Sequence, residues 1–158
     1  MIRFAEDEPS SGVSVADGRG SSIRPVRSAQ DVREMIAALL HEPTWLRTVS
    51  GRLAEQRRGD DESEVWVDGD GGVLAAHIVH GVLNDPDADG SETPVVVLEV
   101  AHRGRTNRRF AQDVVAEAQG WGKRRGATAM LFSTGRRGPW ERLLRGFRQV
   151  SVTYLKRI

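Results

Sequence analysis

The sequence predicts an α/β domain with elements in the order β-α-α-β-β-β-α-β-α-β. Three observations carry that expectation. Pro94–Val100 and Ala127–Phe132 hold unbroken apolar runs, the mark of strands covered on both faces. Between them, Phe110, Val114, Val115, Ala118 and Trp121 recur at helical spacing, so the chain reads strand, helix, strand and implies parallel pairing there. A Gly69-Asp70-Gly71-Gly72 turn signal joins two further strand-like runs into a hairpin.

Taken in order, residues 1–21 are rich in Gly, Ser, Asp and Glu without an apolar period and read as a flexible arm, leaving residues 22–158 as the folded unit. Ile23-Arg24-Pro25-Val26 suggests a short strand. Ser28 can cap a helix with Asp31 three residues on, and Val32, Ile36, Leu39 and Leu40 then form its inner face. This helix should end near His41, because Pro43 disfavours helical geometry before it. A second helix starts at Pro43, with Trp45, Leu46, Val49 and Leu53 inward. Glu64–Asp68 and Val73–Leu83 are the hairpin strands, and Asn84–Thr93 is an acidic loop. Thr106–Arg125 is the long helix, closed by Gly126. Pro139–Arg145 forms a short helix and Phe147–Leu155 the last strand.

The chain of 158 residues suits one domain. It has no cysteine, which excludes disulfides, thiolate catalysis and Cys-zinc sites. No apolar run approaches the roughly 20 residues of a membrane helix, and the N-terminus lacks a basic-then-apolar signal pattern. The expectation is a cytoplasmic protein with no membrane partner. Net charge is +1, but residues 101–158 hold 14 Lys/Arg against 3 Asp/Glu, while residues 1–100 hold 9 against 19. A basic half attracts polyanions, whether coenzyme A phosphates or nucleic acid, unless the two halves simply neutralise each other.

The element order resembles that of the GNAT superfamily of acyltransferases over residues 22–158. The likeness is carried by the Val95–Val100 strand running through a basic, Gly-containing loop into a helix. It is carried also by the passage Trp121-Gly122-Lys123-Arg124-Arg125-Gly126-Ala127, and by the short helix, Gly146-Phe147 and terminal strand at the end. The resemblance implies a mixed central sheet with helices on both faces, and transfer of an acetyl or other acyl group from acyl-CoA to an amine. Arginine-rich, phage-encoded GNAT-like proteins, some of which modify DNA bases, offer a further likeness.

In the family the loop after the fourth strand reads Gln/Arg-x-x-Gly-x-Gly/Ala, and its N–H groups with the helix N-terminus receive the cofactor pyrophosphate. Here the segment reads Arg103-Gly104-Arg105-Thr106-Asn107-Arg108-Arg109-Phe110-Ala111. Aligning on Arg103 puts Thr106 and Arg108 at glycine places. Aligning on the helix puts Thr106 at the Gln/Arg place, Arg109 at the first Gly place and Ala111 at the last; this register keeps Val114 and Val115 buried. Either way a large residue replaces a glycine, and arginines could bind phosphates directly. The resemblance therefore implies cofactor contacts at Val100, Arg105, Thr106, Asn107, Arg108, Arg109, Phe110 and Ala111, and at Ser133 after the fifth strand.

Acyl transfer needs a base, an oxyanion stabiliser and an acid for the leaving thiolate. Glu99, a carboxylate within an apolar strand, is the base candidate, and burial should raise its pKa; a structural ion pair is the alternative. Tyr154, the sole tyrosine, is the acid candidate, although it lies in the last strand rather than the short helix. His102 could serve as another base or a phosphate contact. His77 and His80, three apart on a strand, should face opposite ways, which argues against a shared metal. Asp85, Asp87 and Asp89 begin like a calcium loop, but Val96 stands where the closing Glu is required. Arg103, Arg105, Arg108 and Arg109, with Arg136 and Arg137, should gather at one end of the sheet. The rival reading is a non-catalytic module that binds nucleic acid through this arginine face. The expected assembly is a monomer or homodimer.

Overall fold

The computed structural model describes residues 22–82, 89–103 and 108–132. The described residues form eight elements: β1 (Arg24–Pro25), α1 (Ala29–Leu39), α2 (Pro43–Arg57), β2 (Ser63–Val67), β3 (Gly72–Val82), β4 (Glu92–Arg103), α3 (Arg108–Arg124) and β5 (Ala129–Phe132). They follow the expected order as far as the described residues run. The N-terminal arm, the short helix at 139–145 and the strand at 147–155 lie outside them.

The strands form one sheet in the order β1-β2-β3-β4-β5. The first four pair antiparallel, while β4 and β5 pair parallel, the geometry required by a helix crossing between them. Strand alternation divides the interior into two cores. On one face Trp66, Leu74, Ala76, Ile78, Val96 and Leu98 pack against Phe110, Val114, Ala118 and Trp121 of α3. On the other, Val65, Val67, Val73, Ala75 and Val100 pack against Met35 and Leu39 of α1 and Val49 and Leu53 of α2. Helices therefore cover both faces of a mixed sheet.

Local signals explain the helices. Ser28 Oγ accepts from the Asp31 N–H at 3.1 Å, and the Asp31 carboxylate accepts from the Ser28 N–H at 3.0 Å, a reciprocal cap. These bonds, with the Arg27 N–H and Arg24, hold the Asp31 carboxyl well below its usual range. One expectation for α1 fails. Met35, not Ile36, points inward, and Ile36 and Leu40 are exposed at 42% and 60%. Val32, Met35 and Leu39 satisfy the helical period equally well, and the direction set by the cap selects them. Pro43 opens α2 as expected, with Val49 and Leu53 buried and Trp45 and Leu46 partly so.

α3 lies close to the sheet because Gly122 faces it. A Cβ at Gly122 would stand 2.2 Å from Val96 Cγ2 and 3.4 Å from Ala127 Cβ. Valine is stiff about χ1, so Val96 cannot swing aside. The Trp66 and Trp121 rings meet edge-to-face behind this contact, 5.6 Å apart at 88°. Gly122→Ala is expected to destabilise the protein by about 1–3 kcal/mol in denaturant unfolding, outweighing the roughly 1 kcal/mol that alanine gains in a helix. Adding Val96→Ala should recover part of that loss.

Candidate active site

β4 contains one residue more than β3 can pair. Ala75 lies opposite Val100 and Ala76 opposite Leu98, so Glu99 has no partner across the ladder. This bulge changes the facing of everything after it. Before it, Val96 and Leu98 face α3; beyond it, Val100 faces α1 and α2, and Ala101 packs on the α3 side. The described pairing of β4 with β5 runs from Val95–Ala129 to Leu98–Phe132. From Glu99 to Arg103, β4 carries no described partner on its β5 side, while β3 holds the other edge as far as Gly72–Arg103. The bulge thus stands at the vertex where the described β4–β5 pairing ends, on the part of β4 that leads toward the start of α3.

A polar network fills the α2 face at that vertex. Arg52 of α2 donates to both oxygens of Glu99, from Nε to Oε2 at 2.6 Å and from Nη2 to Oε1 at 2.7 Å. Its Nη1 donates to Glu55 Oε2 at 2.8 Å, and Ser63 Oγ donates to the same oxygen at 2.7 Å. His77 Nδ1 lies 3.3 Å from Glu99 Oε1, beyond a well-aligned hydrogen bond but within ion-pair range. Burial pushes the Glu99 carboxyl upward, as its place in an apolar strand predicts. The guanidinium of Arg52 and the His77 ring outweigh burial and hold it down at about 2. The expected raised pKa is therefore corrected: the ion partner comes from a helix 47 residues away.

No family model matches the sequence, and no curated protein does. Solved structures do match. An aminoglycoside 6'-N-acetyltransferase from Acinetobacter haemolyticus superposes with a TM-score of 0.58 at 18% identity, covering 86% of this chain and 98% of the other. Glucosamine-6-phosphate N-acetyltransferase from Arabidopsis thaliana gives a TM-score of 0.58 at 16% identity, over 85% and 96%. The aminoglycoside N-acetyltransferase AAC(6')-Iy, solved with CoA, gives 0.50 at 23% identity, over 86% and 99%. This chain has the GNAT fold.

Within the GNAT sheet, the residues singled out by sequence fall into three groups. Glu99 and Val100 stand at the bulge, the Val100 side chain buried in the α1–α2 core. Phe110 and Ala111 turn their side chains into the core beneath α3, so only their backbone is available to a ligand. Val114 and Val115 are buried as well, as the helix-based register requires. Arg109 is exposed, with the ring of Phe110 next to it in sequence turned inward. Arg105, Thr106, Asn107, Ser133 and Tyr154 lie outside the described residues, as do the Arg108 side chain, Arg136 and Arg137. Arg103 is engaged: Nη2 donates to Asp70 Oδ2 at 3.2 Å, Nε lies 3.5 Å from the buried Asp68 Oδ2, and the guanidinium stacks 5.4 Å from the Phe110 ring. His102 meets Trp45 edge-to-face at 5.2 Å. His80 pairs with Glu62 at 2.7 Å, on the face opposite His77.

A cleft of about 390 Å³ is bordered by Arg27, Arg57, Asp60, Asp61, Ser63 and Arg125, and touches the Glu99 network only through Ser63. Its lining mixes both charges, and Arg27 is already bound to both oxygens of Glu64. The vertex at Glu99 is the better candidate, since a strand bulge and several titratable groups converge there.

Sequence reasoning missed Arg52 and the pairing role of His77. Arg52 sits between the inward Val49 and Leu53, and no local pattern announces its partner. His77 shares the parity of Val73 and Ala75, which was enough to place it on the α2 face. Because the Glu99 pKa is depressed, the pair contributes stability that is full above about pH 4.3 and is lost as pH falls toward 2. Arg52→Met is expected to cost about 2–3 kcal/mol at pH 7 in urea unfolding and clearly less at pH 2.5. An equal cost at both pH values would refute the ion-pair assignment.

Proposed function

We propose that this protein is an N-acyltransferase that moves an acetyl or other acyl group from acyl-CoA to an amine. The carrying observation is the Glu99 bulge, with Arg52 and His77 gathered on it, where the described β4–β5 pairing ends within a GNAT sheet. A pantetheine arm is extended and carries two amides. Beyond the described pairing with β5, the β4 edge would offer N–H and C=O groups of matching spacing, on which the arm would lie as an added strand. From Glu99 to Arg103 the edge spans roughly 13 Å, leading from a reactive end to the basic start of α3. There the helix N-terminus, Arg109 and the segment 105–108 would take the pyrophosphate. The missing glycine makes guanidinium contacts the expected means of holding it.

At the vertex, the amine nitrogen attacks the thioester carbonyl and gives up a proton, the C–S bond breaks, and the thiolate leaves with its electron pair. A β4 backbone N–H at the bulge would stabilise the oxyanion. Tyr154 is our candidate for protonating the thiolate. Amine acceptors agree with the names of the matched structures, whose enzymes acetylate aminoglycosides and glucosamine 6-phosphate.

Acetyl-CoA at a hundred times its dissociation constant should stabilise the protein by about 2.7 kcal/mol, a rise in melting temperature of roughly 5–10 °C. A 20-base-pair duplex should give no comparable shift at moderate salt. No shift at millimolar acetyl-CoA, with a steeply salt-dependent shift from the duplex, would replace the transferase by a nucleic-acid binder.

A further inference from the structure

Glu99 is a weak proton acceptor where it stands. Both oxygens receive hydrogen bonds from Arg52, and a carboxyl held at about 2 seldom takes a proton from an amine at neutral pH. His77 stands beside it on β3, directly across from Val97 and therefore one step from the bulge. Its side chain is 18% exposed, and Nδ1 is shut off from solvent at 3.3 Å from Glu99 Oε1. With Glu99 Oε1 this close, the carboxylate favours the tautomer that has its proton on Nδ1 and its lone pair on Nε2. Among the described residues, Nε2 makes no hydrogen bond. The charged groups of this cluster are Glu99 from β4 with Arg52 and Glu55 from α2; Ser63, opposite His77 on β2, is bonded to Glu55.

We propose that His77 Nε2, rather than the Glu99 carboxylate, accepts the proton of the attacking amine. Glu99 is then a positioning residue that fixes the ring and stabilises its charged form, and Arg52 anchors Glu99. This rests on the acyl-transfer reading. As the N–C bond forms, the amine passes one proton to Nε2, directly or through one water. The C–S bond breaks with its electron pair on sulfur, and the thiolate is protonated. His77 returns to neutral by releasing the proton it received to the thiolate or to solvent.

Nitrogen-15 correlation spectra of the whole protein, with the four histidines assigned through His77→Gln and the three analogous variants, test the ring state. The expected tautomer at pH 7.5 has Nδ1 protonated and Nε2 bare, and Glu99→Gln should shift the neutral ring toward the other tautomer. An Nε2-protonated ring overturns the proposal. Thiol release from acetyl-CoA is then followed with an aminoglycoside, glucosamine 6-phosphate, a polyamine or water as acceptor. His77→Gln should slow it at least tenfold while calorimetry shows acetyl-CoA affinity unchanged within twofold. Full turnover by His77→Gln, or no thiol release by a wild-type protein that binds acetyl-CoA, overturns His77 as acceptor and leaves cofactor binding standing. Failure of the wild-type protein to bind acetyl-CoA sinks the transferase reading and this proposal with it.

Discussion

One surplus residue in β4 governs the arrangement of the whole sheet. Without the bulge, the strand would continue the alternation set by Val96 and Leu98, and Val100 would face α3. With it, Val100 joins Val73 and Ala75 beneath α1 and α2, where the described pairing with β5 ends. The extra residue is a carboxylate, so the distortion also delivers a charge to a half-buried position. That charge is tolerable because Arg52 meets it with two short, parallel hydrogen bonds.

The network around Glu99 links three layers of the structure. Arg52 and Glu55 belong to a helix, Ser63 and His77 to neighbouring strands, and Glu99 to the bulge. Each member restrains the next, so the ring of His77 is oriented by a helix it does not belong to. Such pre-organisation suits proton transfer, where small errors of position are costly. At the far end of β4, Arg103 is occupied by Asp68, Asp70 and the Phe110 ring. Its role is to tie the β2–β3 turn to the start of α3 rather than to serve as a free cation. The work of holding an anion would pass to residues further along the loop.

Much of the fold was legible because it depends on local signals. The Ser28–Asp31 cap, Pro43 at the start of α2, the glycines of the 69–72 turn and the apolar period of α3 each act over a few residues. The phase of α1 was misread, with Ile36 chosen over Met35, since two overlapping apolar faces fit one short helix and only docking against the sheet distinguishes them. Glu99 was found from its oddity in an apolar strand. Its acidity was not, because a pKa belongs to a set of neighbours rather than to a residue.

By itself, the amino-acid sequence determined the order of strands and helices, the parity that puts His77 and His80 on opposite faces, and the absence of thiol chemistry. Those properties follow from covalent order and short-range periodicity. Only the tertiary structure decided that Glu99 bulges out of register, that Arg52 clamps it, and that His77 rests against it. These contacts join residues 22 to 47 positions apart, and nothing in the spacing of a chain specifies which distant side chains the packing of a helix on a sheet will bring together.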